Sequence, residues 1–184
     1  MSGKVIFLHG ASSSGKSSIA RALQNVVSEP FWHISIDHLR DSGVLPSARF
    51  QSGEFDWRRA RPAFFEGFHR SLGAYTSAGN NLILEHILDN EGFLGDLAEA
   101  FSDTDVFTVG VFCPPELLAK RELARGDRPA GSALRDAQTI HEGRAYDLSV
   151  DGTDPPEENA TRIAEAWSAR RSPLAFSRRL KAAQ

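Results

Sequence analysis

Lys16 and Ser17 close the string Gly10-Ala11-Ser12-Ser13-Ser14-Gly15-Lys16-Ser17, which fits the phosphate-loop pattern G-x-x-x-x-G-K-[ST] without mismatch. Each residue type has a use. Glycines let the backbone come close to a polyphosphate and take positive φ. Successive N–H groups, with Ser18 opening the helix that follows, form a nest for anions. The Lys16 ammonium suits β- and γ-phosphates, and the Ser17 hydroxyl suits Mg²⁺. A Ser/Gly-rich turn could match such a string by chance, but the flanks argue otherwise. Val5-Ile6-Phe7-Leu8 reads as a short buried strand leading in, and Ile19 to Gln24 is good helix material leading out.

Two carboxylates stand at later strand ends. Phe31 to Ile36 reads as a second strand ending at Asp37. In open parallel sheets ligands sit outside the carboxyl ends of the strands. Asp37 could therefore be a general base, taking the proton of a substrate hydroxyl as that oxygen attacks the γ-phosphorus. The competing reading is an N-cap for His38-Leu39-Arg40. Asn81 to Leu84 reads as a third strand, ending in Glu85-His86. Glu85 could serve Mg²⁺ through water, orient the substrate with His86, or close the strand in a salt bridge. The six histidines are scattered without metal-ligand spacing, so a zinc site is not expected.

Arginines form the third group. Arg121 and Arg125 share a helix face, and Arg128 and Arg135 follow. Guanidinium forks match phosphate oxygens. Arg125 and Arg128 are expected to close over the transferring phosphoryl group as a lid spanning about 121–136. A solvated face laced with Glu116, Glu122 and Asp127 is the plainer alternative.

The elements that must position these residues alternate between strand and helix patterns. That argues for an α/β three-layer sandwich on a mainly parallel sheet. Residues 41–56, broken by Gly43, Pro46 and Gly53, read as a loop long enough to be a substrate wall. A helix is expected from Pro62 to Ala78, with Phe64, Phe65, Phe68, Leu72 and Tyr75 as a core stripe. Its upper end, with Phe50, Phe55 and Trp57, could still line a pocket for an apolar or aromatic substrate, and the wall insertion spans about 38–62. Arg58, Arg59 and Arg61 read equally as solvated or phosphate-facing. Further on come a helix over 89–102, a strand over 106–112, a helix from Pro114 to Arg125, and another over 132–141. A strand over 146–150 then leads to a loop, 151–156, that could wall the adenine, and to a helix from Pro156. The tail after Ser172 reads as a frayed, solvated end.

The chain has 184 residues, is 41% hydrophobic and carries a net charge of −3, which fits one domain and gives no drive toward nucleic acid or anionic membrane. A single cysteine, Cys113, excludes an internal disulfide and reads as a buried structural thiol. With no signal segment and no membrane-length apolar run, the expectation is a cytoplasmic protein.

A wider pattern joins the phosphate loop. It comprises Glu29-Pro30, Asp37-x-Leu39, Arg121-Glu122-x-Ala124-Arg125-Gly126-Asp127-Arg128-x-Ala130-Gly131, and His141-Glu142-Gly143-x-x-Tyr146-Asp147. Over nearly its full length the chain resembles the chloramphenicol phosphotransferase family of P-loop small-molecule kinases, of the nucleotide/shikimate kinase type. The resemblance implies a five-stranded sheet in the order 2-3-1-4-5. It implies ATP and Mg²⁺ as cofactors and transfer of the γ-phosphoryl group to the primary hydroxyl of chloramphenicol, an antibiotic-inactivating reaction. Asp37 matches the family's catalytic aspartate, Gly10 to Ser17 its nucleotide loop, and Arg125 and Arg128 its lid arginines. Residues 38–57 and Glu85-His86 depart from the family pattern, and these would face the acceptor, so His38, Phe55, Trp57, Glu85 and His86 are acceptor-side candidates. Another hydroxylated metabolite, antibiotic or nucleotide-sugar is the alternative acceptor, and a nucleotide-binding regulatory module the alternative class. A guanine-binding Asn-Lys-x-Asp string does not occur. Whether the protein forms a homo-oligomer is left open by the sequence.

Overall fold

The computed structural model describes residues 2–88, 90–125, 137, 139–172 and 174–177. Strand β1 (Lys4–His9) runs through the middle of a five-stranded sheet. The others are β2 (Phe31–Ser35), β3 (Asn81–His86), β4 (Asp105–Phe112) and β5 (Leu148–Asp151), in the order β2-β3-β1-β4-β5 that the resemblance implies. Every pairing is parallel.

Both faces of the sheet are covered, which is why its inner strands are apolar almost without interruption. Successive side chains point to opposite faces. Ile6 and Leu8 enter one core with Ile19 and Leu23 of α1 (Lys16–Gln24) and Ile163 and Trp167 of α7 (Pro156–Ser168). Val5 and Phe7 enter the other. There they meet Phe68 and Leu72 of α4 (Trp57–Ser77) and Phe93 and Leu97 of α5 (Glu91–Ala100). Each such burial contributes about 1.5–3 kcal/mol. Helix α6 (Pro115–Arg125) seats Leu118 against Ala11 of the phosphate loop. Two short helices, α2 (Ile36–Asp41) and α3 (Ser47–Gln51), lie between β2 and α4. No helix among the described residues is long and apolar enough to cross a membrane.

Several local expectations change. Strand β2 stops at Ser35, whose hydroxyl accepts the Asp37 N–H at 3.2 Å. Ser35 is thus the N-cap of α2 and Asp37 lies in its first turn, so Asp37 is not itself a cap. The 41–56 loop contains α3. Helix α4 begins five residues before Pro62, because the Asp56 carboxylate accepts the Arg58 N–H at 2.8 Å and caps it there. Tyr75 leaves the stripe and is 47% exposed. Cys113 is only half-buried.

The tail is corrected over residues 174–176, while 178–184 lie outside the described residues. Leu174, Ala175 and Phe176 are buried rather than frayed, and the Ala175 N–H donates to Asp147 Oδ1 at 2.7 Å. The other oxygen of Asp147 accepts the Thr108 N–H at 2.9 Å, so one carboxylate ties the tail to β4. Arg128, Arg135 and most of the helix expected over 132–141 lie outside the described residues.

Candidate active site

A cleft of about 1270 Å³ opens at the carboxyl ends of the strands. Its lining includes Ser12, Ser13, Gly15, Lys16, Ser17 and Ser18 from the loop and α1, and Asp37 and His38 from α2. Trp57, Arg61, Phe64 and Phe65 of α4, Glu85 and His86 of β3, and Arg121 of α6 complete the wall, with the 152–156 stretch after β5. Most residues singled out from the sequence are thus brought together.

The loop's conformation is set by tight packing. A Cβ on Gly10 would sit 2.4 Å from the Val111 carbonyl oxygen, and Gly15 has φ 101°. Ser13 also has positive φ, at 63°. Lys16 is buried, and its Nζ donates to the Gly10 carbonyl at 2.9 Å and the Ala11 carbonyl at 2.6 Å. The ammonium therefore already stands within the loop it serves.

Glu85 is held on two sides. Ser17 Oγ donates to its Oε1 at 2.8 Å, and His33 Nε2 lies 3.1 Å from its Oε2. Burial pushes the Glu85 carboxyl up, but the His33 hydrogen bond, the Lys16 charge and the Ser17 hydrogen bond outweigh it, and its pKa lies below the ordinary value. A hydroxyl and a carboxylate meeting this closely form a hard oxygen donor pair. That chemistry fits Mg²⁺, which takes few protein ligands and keeps waters and phosphate oxygens. Among the described residues no group of three or more His, Cys, Asp or Glu could hold a metal ion.

Asp37 shares its carboxylate with Arg40, whose Nη1 lies 3.0 Å from Oδ1. Arg40 also grips Asp41, with Nε donating to Oδ1 at 2.7 Å. His38 faces His33, ring centroids 4.6 Å apart, and burial and His33 lower its pKa.

His86 points to the opposite face of β3. Its Nε2 lies 3.0 Å from His69 Nε2, and His69 Nδ1 lies 3.0 Å from Asp96 Oδ2. Burial first, then the charges of His69, Lys16 and Arg61, push the His86 pKa down to about 3. The ring is neutral at any physiological pH, flanked by Phe65 and Phe93. Trp57, Phe64 and Phe65 continue this aromatic wall edge to face, with centroids 5.6 and 5.9 Å apart, and the Arg61 guanidinium lies 4.5 Å above Phe65. Phe55 is not in the cleft lining; it packs on Phe50 and under Arg49.

Sequence reading placed the lid role on Arg125 and Arg128. The structure places Arg121 at the loop itself, with Nη1 donating to the Ser13 carbonyl at 3.3 Å and Nη2 to the Gly152 carbonyl at 3.0 Å. Arg125 ends α6, and Arg128 lies outside the described residues. Arg40, His33, His69 and Asp96 were also missed. Only Arg40 left a local signal, standing three residues after Asp37 at helical spacing.

A family model, the chloramphenicol phosphotransferase-like protein, matches residues 3–168. A proposed O-phosphotransferase of Mycobacterium tuberculosis strain H37Rv is 30% identical over 196 residues, covering 96% of this chain and 87% of that protein. Among solved structures, an APS kinase of Mycobacterium tuberculosis superposes with a TM-score of 0.62 at 18% identity, over 91% of this chain and 98% of its own. A gluconokinase of Sinorhizobium meliloti superposes with a TM-score of 0.61 at 18% identity, over 91% and 92%. At such identities the superpositions speak for the fold alone.

Proposed function

The chain belongs to the chloramphenicol phosphotransferase-like protein family, and on that premise we propose that it is an ATP-dependent O-phosphotransferase acting on a small hydroxylated molecule. The single observation that carries this reading is the convergence of the phosphate loop, the Ser17–Glu85 pair and the Asp37 carboxylate on one cleft. Loop amides and Lys16 hold the phosphates. Ser17, with Glu85 through water, would hold Mg²⁺, which when bound neutralises negative charge on the phosphate oxygens. The acceptor oxygen attacks the γ-phosphorus, the bond to the β–γ bridging oxygen breaks, and ADP leaves. Asp37, steadied by Arg40, takes the acceptor's hydroxyl proton. Arg125 and Arg128 are proposed to supply further cationic contacts from the lid, and the 152–156 stretch to wall the base.

For the acceptor, we favour the broader class over chloramphenicol itself. The two solved structures above are an APS kinase and a gluconokinase, so the shared fold accompanies differing small molecules and singles out none. The aromatic wall of Trp57, Phe64 and Phe65 would take an apolar or planar group, with His38 and His86 as neighbours. The test is mass spectrometry of a panel of hydroxylated metabolites and antibiotics, chloramphenicol included, incubated with protein and Mg²⁺-ATP. A phosphorylated product made by the native protein and not by Asp37→Asn supports the reading. Bound ATP with no product from any hydroxylated acceptor, and none dependent on Asp37, overturns it.

A further inference from the structure

The His141-Glu142-Gly143-x-x-Tyr146-Asp147 string has no part in the chemistry above, yet Tyr146 stands at the start of the phosphate loop. His9 ends β1, and Gly10 follows at once. The Leu88 N–H donates to His9 Nε2 at 3.3 Å, and His9 Nδ1 lies 2.8 Å from the Tyr146 hydroxyl. A neutral imidazole has one N–H. Since Nε2 accepts, the proton is on Nδ1, so His9 donates and Tyr146 accepts. Burial, with His141, Lys16, Arg144 and His86 around it, pushes the His9 pKa down to about 2, which keeps the ring neutral. The same hydroxyl lies 2.7 Å from His141 Nδ1.

Packing holds the tyrosine in place. Gly110 of β4 makes room for it, since a Cβ there would meet the ring at 2.7 Å. Phe112 stacks on His141 at 3.9 Å, and Arg144 Nη2 reaches the Leu88 carbonyl at 3.4 Å. One phenol thus touches the exit of β1 directly, that of β3 through His9 and Leu88, and the end of β4.

We propose that Tyr146 is a positioning residue for the phosphate loop: its hydroxyl carries a hydrogen-bond direction set at Leu88 through His9 to His141, holding His141 as the Nε2–H tautomer and fixing the point where β1 becomes loop. Donors and acceptors aligned head to tail reinforce one another. The chain also fastens residues 139–147, which re-enter the described fold after the arginine-bearing stretch, to the strand that carries the loop. The consequence for nucleotide binding rests on the ATP reading above. The tautomers do not.

Two measurements on ¹⁵N-labelled full-length protein test this. Long-range ¹H–¹⁵N spectra without nucleotide read each imidazole tautomer. The native protein should show His9 with its proton on Nδ1 and His141 with its proton on Nε2. In Tyr146→Phe, which keeps the ring against Gly110, His141 should lose its fixed tautomer. ATP titration should then show binding roughly three- to tenfold weaker, the loss expected for one broken hydrogen bond. His141 protonated on Nδ1 in the native protein overturns the proposal. So does a Tyr146→Phe protein that binds ATP as the native one does. Should Tyr146→Phe not fold, His141→Phe keeps the stack on Phe112, removes Nδ1, and is judged by the same ATP comparison. Native protein that binds no ATP would overturn the nucleotide reading instead, with the tautomer pattern still deciding the direction of the chain.

Discussion

Ser17, second residue of α1, donates its hydroxyl to Glu85 Oε1 at 2.8 Å, joining the helix of the phosphate loop to the end of β3. The contact crosses 68 residues of sequence and puts a hydroxyl and a carboxylate oxygen together beside the phosphate loop. Glu85→Gln should therefore raise the Mg²⁺ concentration for half-maximal activity about 10- to 100-fold, the range found when a supporting carboxylate is lost from a metal site. Titrating Mg²⁺ at saturating ATP reads it. An unmoved midpoint would make Glu85 a clasp and nothing more.

Asp37 makes a different prediction. It lies on the cleft wall with Arg40 at 3.0 Å. On its proposed role as base, Asp37→Asn, which keeps the side chain's size, should lower kcat by about 10²- to 10⁴-fold, with ATP affinity unchanged by calorimetry. Equal loss of ATP binding would move Asp37 from base to scaffold.

On the proposed function, the aromatic wall serves the acceptor and not ATP. Trp57→Ala, once an acceptor is identified, should raise KM for the acceptor while leaving KM for ATP unmoved, because Trp57 packs against Phe50 and Phe64 and not against the loop. Steady-state kinetics with each substrate varied in turn would show it. A shift confined to ATP would contradict the division of the cleft.

His9 and His86 predict the acid limb of stability. Their folded pKa values, about 2 and about 3, lie below the ordinary 6.5. The unfolded chain then takes up protons as pH falls through 6.5 while the folded chain does not, so stability is complete above that pH and declines below it. Each ring contributes a slope of up to about 1.4 kcal/mol per pH unit. Between pH 6.5 and 5 urea midpoints should fall steadily, with carboxylates such as Glu85 adding their loss only further into acid. A flat midpoint across that window would mean that both rings protonate while folded.

Gly152 is the site where an added methyl group should strike the phosphate loop itself. Its Cβ would sit 2.1 Å from the Ser14 carbonyl oxygen and 3.1 Å from that of Phe112. Gly152→Ala should cost about 1–3 kcal/mol by overpacking and weaken ATP binding, because what must yield is the phosphate loop. Thermal melting with parallel ATP titration tests both halves.

The phosphate loop and the cleft positions of Asp37 and Glu85 were legible in the sequence because they rest on local signals: apolar runs, a glycine-bounded string, an acid at or near a strand end. The strand order rested on the family resemblance and not on those signals. What escaped depended on long-range partners. His33 reads as one more residue of a strand until Glu85 is set beside it by the β2–β3 register. His69 reads as an interruption of an aromatic stripe until Asp96 and His86 close on it from α5 and β3. The buried tail was misread because its apolar residues are few and its anchor, Asp147, lies 28 positions away. Arg121 was seen among the arginines, but its bond to Gly152 required knowing that β5 returns beside β4.

In the pairing of β1 with β3, Leu8 stands opposite Glu85 and His9 opposite His86. Because neighbouring residues of a strand face opposite ways, Glu85 joins Ser17 and His33 on one side while His86 joins His69 and Phe93 on the other. A single peptide unit therefore divides two kinds of inheritance. Changes in α3, whose Phe50 packs on Trp57, and in the first turns of α4 can remodel the wall beside His86, while Glu85 one position earlier and Asp37 with Arg40 on α2 keep their partners. A library varied over that segment would sample new acceptors on a constant phosphate-handling half, and the boundary between what such a lineage could alter and what it must keep runs along the backbone between residues 85 and 86.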